Sequence, residues 1–336
     1  MRLYLSRMSK IIIVVFLLLM ISCSTIDYMS TGGNHLRTNK SKNEISLITY
    51  NINAIYDKKE GQIDSLMSYI NSEKFDFVLF QELFDESTRD EIIEKSDTSF
   101  YSTIISRVDY HSFPEFIFQD AGLYMMADYP RIDLSEIDFG DDIKNSNGIV
   151  HMILAKEISR TNDFLANKSV MGALFALDDT TRLFLFSTHV QAIGTIEHKH
   201  YQMKQIYAFI DTTVTKVVAS RLVSSPNNLI VILAGDFNSN AYSPESFHAM
   251  MDILGNPRDL HMEFNGNKQE YTWRFTSRSN PRRFDYILAY DSLGGNTFRK
   301  VVATAINTKD IKDANNNSIS DHKALKANIR FNGVFP

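Results

Sequence analysis

The chain has 336 residues, of which 44% are hydrophobic and 22% are charged, an ordinary globular composition that can bury one large core. Its formal net charge is −5, so it lacks the basic surplus expected of a protein that binds nucleic acid by neutralising phosphates. No solenoid-type repeat is visible and strand-like segments recur to the C-terminal end, which favours one large domain.

The N-terminus predicts an export signal followed by a lipid anchor. Arg2, Arg7 and Lys10 precede the apolar run 11–21, which is shorter than the roughly 20 residues that a membrane-spanning helix needs. The segment Met20-Ile21-Ser22-Cys23 resembles a bacterial lipobox, with Met20 in place of the usual leucine. It predicts removal of residues 1–22, lipidation of Cys23, and an exported lipoprotein anchored at the cell surface or facing the periplasm.

Cys23 is the only cysteine of the chain, so an internal disulfide is excluded. Removing residues 1–22 takes away three basic and no acidic side chains, which changes the formal charge from −5 to −8. Residues 23–43 are dominated by Ser, Thr, Gly, Asn and Lys. They predict a flexible tether with a reach on the order of 25 Å, and residues 44–336 then form the folded domain.

Four apolar runs predict buried strands, and each leads into a polar residue capable of chemistry. The runs are Ile45–Tyr50 before Asn51, Phe75–Phe80 before Gln81-Glu82, Arg182–Thr188 before His189, and Leu229–Ala234 before Gly235-Asp236-Phe237-Asn238. Near-continuous apolar strands are covered on both faces, and polar residues at their ends converge at one rim of the sheet.

Two helices are predicted between the strands. Residues 197–222 place apolar side chains at three- and four-residue spacing, which makes one apolar stripe. A second helix begins at Ser243-Pro244-Glu245 and ends before Gly255, because an N-cap followed by proline starts a helix. Later strands at 284–290, 301–306 and 325–331 have little helix between them, which favours antiparallel pairing. Together, these elements predict a mixed sheet system covered by helices.

The candidate site residues suit metal-assisted chemistry. Glu82 at the exit of a buried strand suits a hard divalent cation, which takes oxygen ligands. Asp236 and Asn238 are two residues apart, so an extended backbone puts both on one face, where they can orient a water or a phosphate oxygen. A histidine such as His322, paired with a carboxylate such as Asp285, makes a tunable base. Taken singly, Asn51 is more typical of a turn residue that caps its own backbone, and a lone histidine after a strand, such as His189, is more often structural than catalytic.

Together, these residues show a family resemblance. The ordered set resembles the motif series of the DNase I-like (endonuclease/exonuclease/phosphatase) superfamily over about residues 45–331: Tyr50-Asn51-Ile52, Gln81-Glu82, Ser187-Thr188-His189, Gly235-Asp236-Phe237-Asn238, Phe284-Asp285-Tyr286 and Ser320-Asp321-His322. The resemblance implies an α/β (α+β) fold, a four-layer sandwich of two mixed β-sheets with helices on the outer faces, and makes 44–336 the catalytic domain.

The resemblance also implies the ligands of a catalytic Mg²⁺, for which Mn²⁺ or Co²⁺ are alternatives. Glu82 would bind the metal, with Asn51 holding metal or phosphate and Asp321 at the metal edge of the site. The catalytic set would be His322 as general base, Asp285 orienting it, Asp236 and Asn238 orienting water and phosphate, and His189 stabilising or protonating the leaving oxygen. This set meets the needs of phosphodiester hydrolysis.

Shorter motifs favour sphingomyelin as the substrate. The segments His189-Val190-Gln191-Ala192 and Gln81-Glu82-Leu83-Phe84-Asp85, and Lys199 with Gln202, resemble bacterial neutral sphingomyelinases. Met171-Gly172 departs from the Lys-Gly that is common in those enzymes. The single tryptophan, Trp273, is compatible with core packing or with ligand contact.

Two alternatives stay open. A surface nuclease or another phosphoesterase of the same fold would keep every metal-site residue. A non-catalytic surface lipoprotein would have no evident need for both histidines and three carboxylates together. The expected partners are a membrane lipid substrate and the membrane that holds the anchor, with nucleic acid a partner only of a nuclease. The chain is expected to act as a monomer.

Overall fold

The computed structural model describes residues 26–30, 43–55, 61–108, 119–157, 162–266, 268–273 and 282–331. Its helices are α1 (Gln62–Glu73), α2 (Glu86–Lys95), α3 (Ile196–Ala219), α4 (Pro244–Ile253) and α5 (Leu260–Asn265), with 3₁₀ turns at Asn162–Leu165 and Pro226–Asn228. None of the helices in these ranges is long and apolar enough to cross a membrane.

The strands, in chain order, are β1 (Ile26–Ser30), β2 (Glu44–Ala54), β3 (Phe77–Leu83), β4 (Thr103–Val108), β5 (Tyr124–Ala127), β6 (Arg131–Ile132), β7 (Lys144–Ser146), β8 (Ile149–Ile153), β9 (Ser169–Ala176), β10 (Arg182–His189), β11 (Leu229–Asp236), β12 (Arg258–Asp259), β13 (Asp285–Tyr290), β14 (Ser292–Leu293), β15 (Asn296–Thr297), β16 (Val302–Lys309) and β17 (Ala324–Arg330). Sheet 1 has the order β1-β4-β5-β3-β2-β17-β16. Sheet 2 has the order β12-β13-β11-β10-β9-β8-β7, with β6 beside β9.

Both sheets are mixed around a central parallel pair. β2 and β3 run parallel in sheet 1, and β10 and β11 run parallel in sheet 2. The strands that flank each pair, β17 and β5 in sheet 1 and β9 and β13 in sheet 2, are antiparallel to it. Parallel neighbours present their C-terminal ends at the same edge, so each sheet brings two predicted site segments together.

Three apolar cores separate four layers. The central core lies between the sheets and includes Leu47 and Leu79 from sheet 1 and Leu185 and Ile232 from sheet 2. A second core packs α3 and α4 on sheet 2, and a third packs α1 and α2 on sheet 1. The central strands are therefore buried on both faces, which explains their near-continuous apolar sequences. The predicted sandwich of two mixed sheets with outer helices is confirmed.

The central strands are longer than their apolar runs. Backbone pairing continues past the last apolar residue, so β2 contains Asn51, β3 contains Glu82, β10 ends at His189 and β11 ends at Asp236. His189 and Asp236 are register partners. Polar residues predicted to follow the strands are thus held by the sheets themselves.

The predicted tether is wrong for residues 26–30. These residues form β1, which pairs antiparallel with β4 at the edge of sheet 1. Tyr28 packs against the central core, and the Arg131 guanidinium lies 4.5 Å from the centre of its ring. Burying this aromatic ring favours the strand over a solvated chain. Cys23 and residues 31–42 lie outside the described residues, where lipidation and a flexible link stay predictions.

Gly235 is required by the close pairing of β10 and β11. Its φ is +143°, and a Cβ would lie 2.0 Å from the backbone oxygen of Thr188. We expect Gly235→Ala to lower the free energy of unfolding by about 3 kcal/mol or more, since overpacking against fixed backbone cannot relax. Chemical denaturation measures this loss. Gly295→Ala is the control, because Gly295 has φ +79° but no atom within 4 Å of the added Cβ; equal losses in the two variants would contradict the clash.

Candidate active site

The strand ends that carry the predicted residues meet at one edge of the sandwich. Asn51 and Glu82 stand on β2 and β3, and His189 and Asp236 stand on β10 and β11. The side-chain amide of Asn51 donates to Oδ2 of Asp236 at 3.0 Å. This hydrogen bond joins the two sheets, so the site lies between them.

His322 lies between two buried carboxylates. Its Nδ1 is 2.9 Å from Oδ2 of Asp285, and its Nε2 is 3.7 Å from Oδ2 of Asp236. Asp236 and Asp285 are register partners on β11 and β13. Because an ionised carboxylate only accepts hydrogen bonds, Nδ1 is the donor to Asp285, and Nε2 is the nitrogen that faces the site.

The two carboxylates hold a proton on this histidine. Burial alone lowers the pKa of His322, but the charges of Asp285 and Asp236 outweigh burial and raise this pKa to about 10. Burial raises the pKa of Asp236 to about 7; the charge of His322 opposes this rise and that of Asp285 adds to it. At neutral pH His322 is therefore protonated in the chain without metal.

Ser320 positions the loop that carries His322. Its hydroxyl donates to the backbone oxygen of Asn51 at 2.8 Å and accepts from the backbone N–H of His322 at 3.0 Å. One serine therefore ties this loop to β2. The histidine is placed by sheet 1 as well as by its contact with Asp285 in sheet 2.

Asp321 lies at the edge of the site, as the resemblance implies. Its Oδ1 accepts from the side-chain amide of Asn53 at 2.9 Å, and its Oδ2 accepts from Nε1 of Trp273 at 3.2 Å. Trp273 also lines the cleft described below. Trp273, for which the sequence allowed either core packing or ligand contact, therefore positions the Asp321 carboxylate.

Glu82 combines a strained backbone with a carboxylate whose charged form is disfavoured by burial. Its φ is +56°, a left-handed conformation that non-glycine residues seldom adopt and that clusters at functional sites. Oε1 lies 3.4 Å from Nε2 of His189. Burial raises the pKa of the Glu82 carboxyl, while the charge of Lys168 and hydrogen bonding from Asn51 lower it.

These oxygen atoms fit a hard divalent cation. Glu82, Asn51 and Asp321 offer carboxylate and amide oxygens, which Mg²⁺ prefers, and a cation would further favour the charged form of the half-buried Glu82. Asp236, Asp285 and His322 also place ligand atoms within 4.8 Å of one another. In that group, however, Asp285 already binds the histidine, so the set around Glu82 fits Mg²⁺ better.

His189 is fully buried and neutral. Burial lowers its pKa well below the usual value, and the charges of Lys168 and His322 lower it further. Neither ring nitrogen has a hydrogen-bond partner within the described part of the chain. A neutral imidazole can donate a hydrogen bond to a departing oxygen but is a poor proton donor, so the geometry favours stabilisation over protonation.

Asn238 shapes the turn after β11. Its φ is +48°, its backbone N–H donates to Oδ1 of Asp236 at 2.8 Å, and its side-chain amide donates to the backbone oxygen of Val190 at 2.8 Å. Nζ of Lys199 donates to its backbone oxygen at 3.2 Å. Asn238 lines the cleft, and its side-chain oxygen is the atom left to orient a ligand.

Lys168 is a site residue that the motif analysis missed. Its side chain is buried, its Nζ lies 3.0 Å from Oδ1 of Asp163, and it lines the cleft. Its charge lowers the pKa of both Glu82 and His189. Met171, by contrast, is buried in the central core. The difference between Met171-Gly172 and the Lys-Gly of bacterial sphingomyelinases therefore affects no residue of this site. The usable signal was a lysine directly before β9.

Gln191 and Gln202 support the loop after β10. Oε1 of Gln202 accepts from the backbone N–H of Gln191 at 2.9 Å. Nε2 of Gln191 donates to the backbone oxygens of Glu157 and Ile193 at 2.9 and 2.8 Å. These residues hold the rim of the site in place, while Ala192 lines the cleft.

A cleft of about 1040 Å³ opens over these residues. Its walls combine aromatic, cationic, acidic and apolar side chains, among them Phe84, Trp273 and Phe284, Lys168, Lys199 and Arg282, Glu82, Asp163 and Asp321, and Ile55, Ile193 and Ile196. Charged groups and apolar surface thus lie side by side in this cleft.

Comparisons with known proteins bear on the fold. No model of a known protein family and no curated protein matches the chain. A humanized D. rerio TDP2 has 16% identity and a TM-score of 0.57, covering 86% of this chain and 99% of that one. Sphingomyelinase C from Streptomyces griseocarneus has 16% identity and a TM-score of 0.57, covering 85% and 99%.

A mutant beta toxin from Staphylococcus aureus with bound magnesium ions has 17% identity and a TM-score of 0.56, covering 84% of this chain and 99% of that one. At such identities the likeness concerns the fold. The chain has the DNase I-like sandwich that its ordered motifs predict.

Proposed function

We propose that the chain is a Mg²⁺-dependent phosphodiesterase that hydrolyses sphingomyelin to phosphocholine and ceramide. The observation that carries the proposal is the His322–Asp285 pair, which shares one buried cluster with Asp236. The metal-suited Glu82 lies nearby, since His189 contacts both Glu82 and Asp236. A carboxylate-bound histidine can serve as the base, and oxygen ligands suited to a divalent cation can hold the metal, in metal-assisted hydrolysis of a phosphodiester.

In this proposal His322 activates the attacking water. Nε2 takes one proton from the water as its oxygen attacks phosphorus, and Asp285 stabilises the resulting imidazolium through Nδ1. His322 must first lose its resting proton, because only the neutral ring accepts another. Asp236 lies near both histidines, 3.7 Å from His322 and 3.9 Å from His189, where it can hold the water in line.

The leaving group departs from the side of the phosphate opposite the attacking water. The bond from phosphorus to the ceramide oxygen breaks, the His189 N–H hydrogen-bonds to that oxygen, and solvent supplies its proton. A divalent cation at Glu82, Asn51 and Asp321 would neutralise charge on the non-bridging oxygens. Lys168 and the Asn238 side chain contribute further polar contacts from the cleft wall.

Three features support a phospholipid over nucleic acid. The chain carries a net charge of −5, whereas proteins that track a nucleic-acid backbone are usually basic. Three isoleucines line the cleft, which suits a lipid better than a sugar-phosphate chain. The short sphingomyelinase-like motifs at His189 and Glu82 point the same way.

The test compares initial rates on four substrates. The full chain with Mg²⁺ is incubated separately with sphingomyelin, phosphatidylcholine, DNA and an inositol phosphate. We expect sphingomyelin to be hydrolysed fastest. Efficient cleavage of DNA without release of phosphocholine would contradict the substrate and favour a nuclease, which the same metal and base residues could serve.

The lipid anchor is part of the proposal. We expect Cys23→Ala to abolish metabolic labelling by a radioactive fatty acid and to leave the specific activity on a soluble phosphodiester unchanged, because Cys23 precedes the described fold. Membrane fractionation and labelling of intact cells measure the effect. Undiminished labelling of the variant would rule out Cys23 as the attachment point.

A further inference from the structure

Exposed aliphatic side chains surround the mouth of the cleft. Ile55, Leu165, Ile193 and Ile196 are 42%, 45%, 48% and 66% exposed, and we call these four the apolar rim. The three isoleucines line the cleft, and Leu165 precedes Ala166, which also lines it. Clustered exposed apolar residues around a site indicate an interaction surface.

The rim is held in place by hydrogen bonds. Oδ2 of Asp163 accepts from the backbone N–H of Ile193 at 2.9 Å, which ties the loop after β10 to the 3₁₀ turn that carries Leu165. Oε2 of Glu157 accepts from the backbone N–H and hydroxyl of Thr195 at 2.7 and 3.1 Å. Fixed loops present these apolar side chains to solvent, so their exposure is built into the fold.

The N-terminal strand starts at the same edge of the sandwich as the cleft. Ile26 pairs with Val108 at the end of β4, and the Val108 oxygen accepts from the N–H of Ala121, shortly before β5. Since β5 is antiparallel to β3, its start lies beside the end of β3 that carries Glu82. The chain therefore enters the fold on the active-site edge.

The segment between Cys23 and β1 is short in sequence. Three residues span at most about 11 Å, and three strand spacings, from β1 to β3, amount to about 14 Å. The apolar run 11–21 and Cys23 precede β1 directly. An anchor at Cys23 would therefore hold the cleft edge, and not the far end of the sandwich, beside the membrane.

We infer that the apolar rim docks on the surface of the bilayer that holds the N-terminal anchor, so that the cleft opens onto headgroups of that membrane. The inference rests on the proposed function, since a lipid phosphodiesterase must reach headgroups. Lys199 and Arg282 line the same cleft, and cationic groups suit the phosphates of a lipid surface. A second copy of the chain offers no such phosphate layer.

Tryptophan fluorescence tests the docking directly. The full chain, as wild type, Ile196→Trp or Leu222→Trp, is reconstituted into vesicles of brominated phosphatidylcholine, which quenches inserted tryptophan. Leu222 is a matched control, because it is exposed but lies far from the rim. Ile196 is the first residue of α3 and Leu222 follows its last, and the 24 residues of this helix span about 36 Å. We expect the added emission of Ile196→Trp to be quenched and that of Leu222→Trp to persist.

A second measurement separates docking from chemistry. The measured quantity is the rate of hydrolysis of sphingomyelin in vesicles divided by the rate on monomeric short-chain sphingomyelin. For the Ile193→Ser/Ile196→Ser double variant we expect this ratio to fall at least about tenfold, because burying one isoleucine is worth at least that factor in affinity. Leu222→Ser should leave this ratio unchanged.

Each outcome decides one claim. Equal quenching at positions 196 and 222, or dimers that shield Ile196→Trp from the brominated lipid, would overturn the docking even if sphingomyelin is hydrolysed. Quenching confined to position 196, without hydrolysis of either substrate form, would support the docking and refute the proposed substrate.

Discussion

His322→Ala is expected to lower kcat on sphingomyelin by about 10² to 10⁴-fold, the usual worth of general acid–base assistance. The loss follows from the position of Nε2, which faces Asp236 and the cleft while Nδ1 is held by Asp285. Rates with saturating Mg²⁺ measure it. His248→Ala is the control, since His248 lies on α4 and does not line the cleft. A wild-type rate for His322→Ala would remove this histidine from the mechanism.

The same histidine sets an expected pH dependence. The charges of Asp285 and Asp236 raise the pKa of His322 in the chain without metal, and only the neutral ring accepts a proton, so the rate should rise with pH through the titration of this ring. Asp285 supplies the largest raising charge. In Asp285→Asn the rising limb should therefore move to lower pH while the maximal rate falls. A limb that stays in place in Asp285→Asn would assign it to another group.

Glu82→Gln is expected to lower Mg²⁺-dependent activity by several orders of magnitude. The substitution keeps the shape of the side chain and removes the charge that a hard cation prefers. Excess Mg²⁺ should restore little, because the strained backbone at φ +56° fixes where the remaining amide can point. Activity across a Mg²⁺ titration measures the effect, with Glu94→Gln, on the outer helix α2, as the control.

Thermal unfolding separates metal binding from catalysis. Burial raises the pKa of Glu82, so ionising it costs stability as the pH rises through the folded-state pKa, and glutamine avoids that cost. Glu82→Gln should therefore be at least as stable as wild type without metal. Mg²⁺ should raise the Tm of wild type and leave that of the variant unchanged. An equal shift in both proteins would place the cation elsewhere.

The central fold could be predicted because its strands are buried on both faces. Near-continuous apolar runs identify β2, β3, β10 and β11, and the polar residues in or after them predict a shared rim. The strand pattern by itself could not predict that two sheets meet there, and only the family resemblance implied it. The Asn51–Asp236 hydrogen bond spans 185 residues and depends on how the sheets face each other.

The residues that were missed or misjudged lack such a local pattern. β1 is a short strand whose stability comes from pairing with β4 and from the burial of Tyr28, which composition does not report. Lys168 and Trp273 acquire their roles from neighbours distant in sequence, Glu82 and Asp321. The structure and role of these residues thus depend on tertiary contacts, which the sequence of a single segment does not report.

The central claim is that this cleft hydrolyses sphingomyelin with a divalent cation. The most direct test measures phosphocholine release from sphingomyelin vesicles by the full chain, with Mg²⁺ and with excess EDTA. The account predicts rapid release with Mg²⁺, its loss in EDTA, and recovery when Mg²⁺ is restored. Release that is unaffected by EDTA, or no release under any condition while DNA is cleaved, would contradict it.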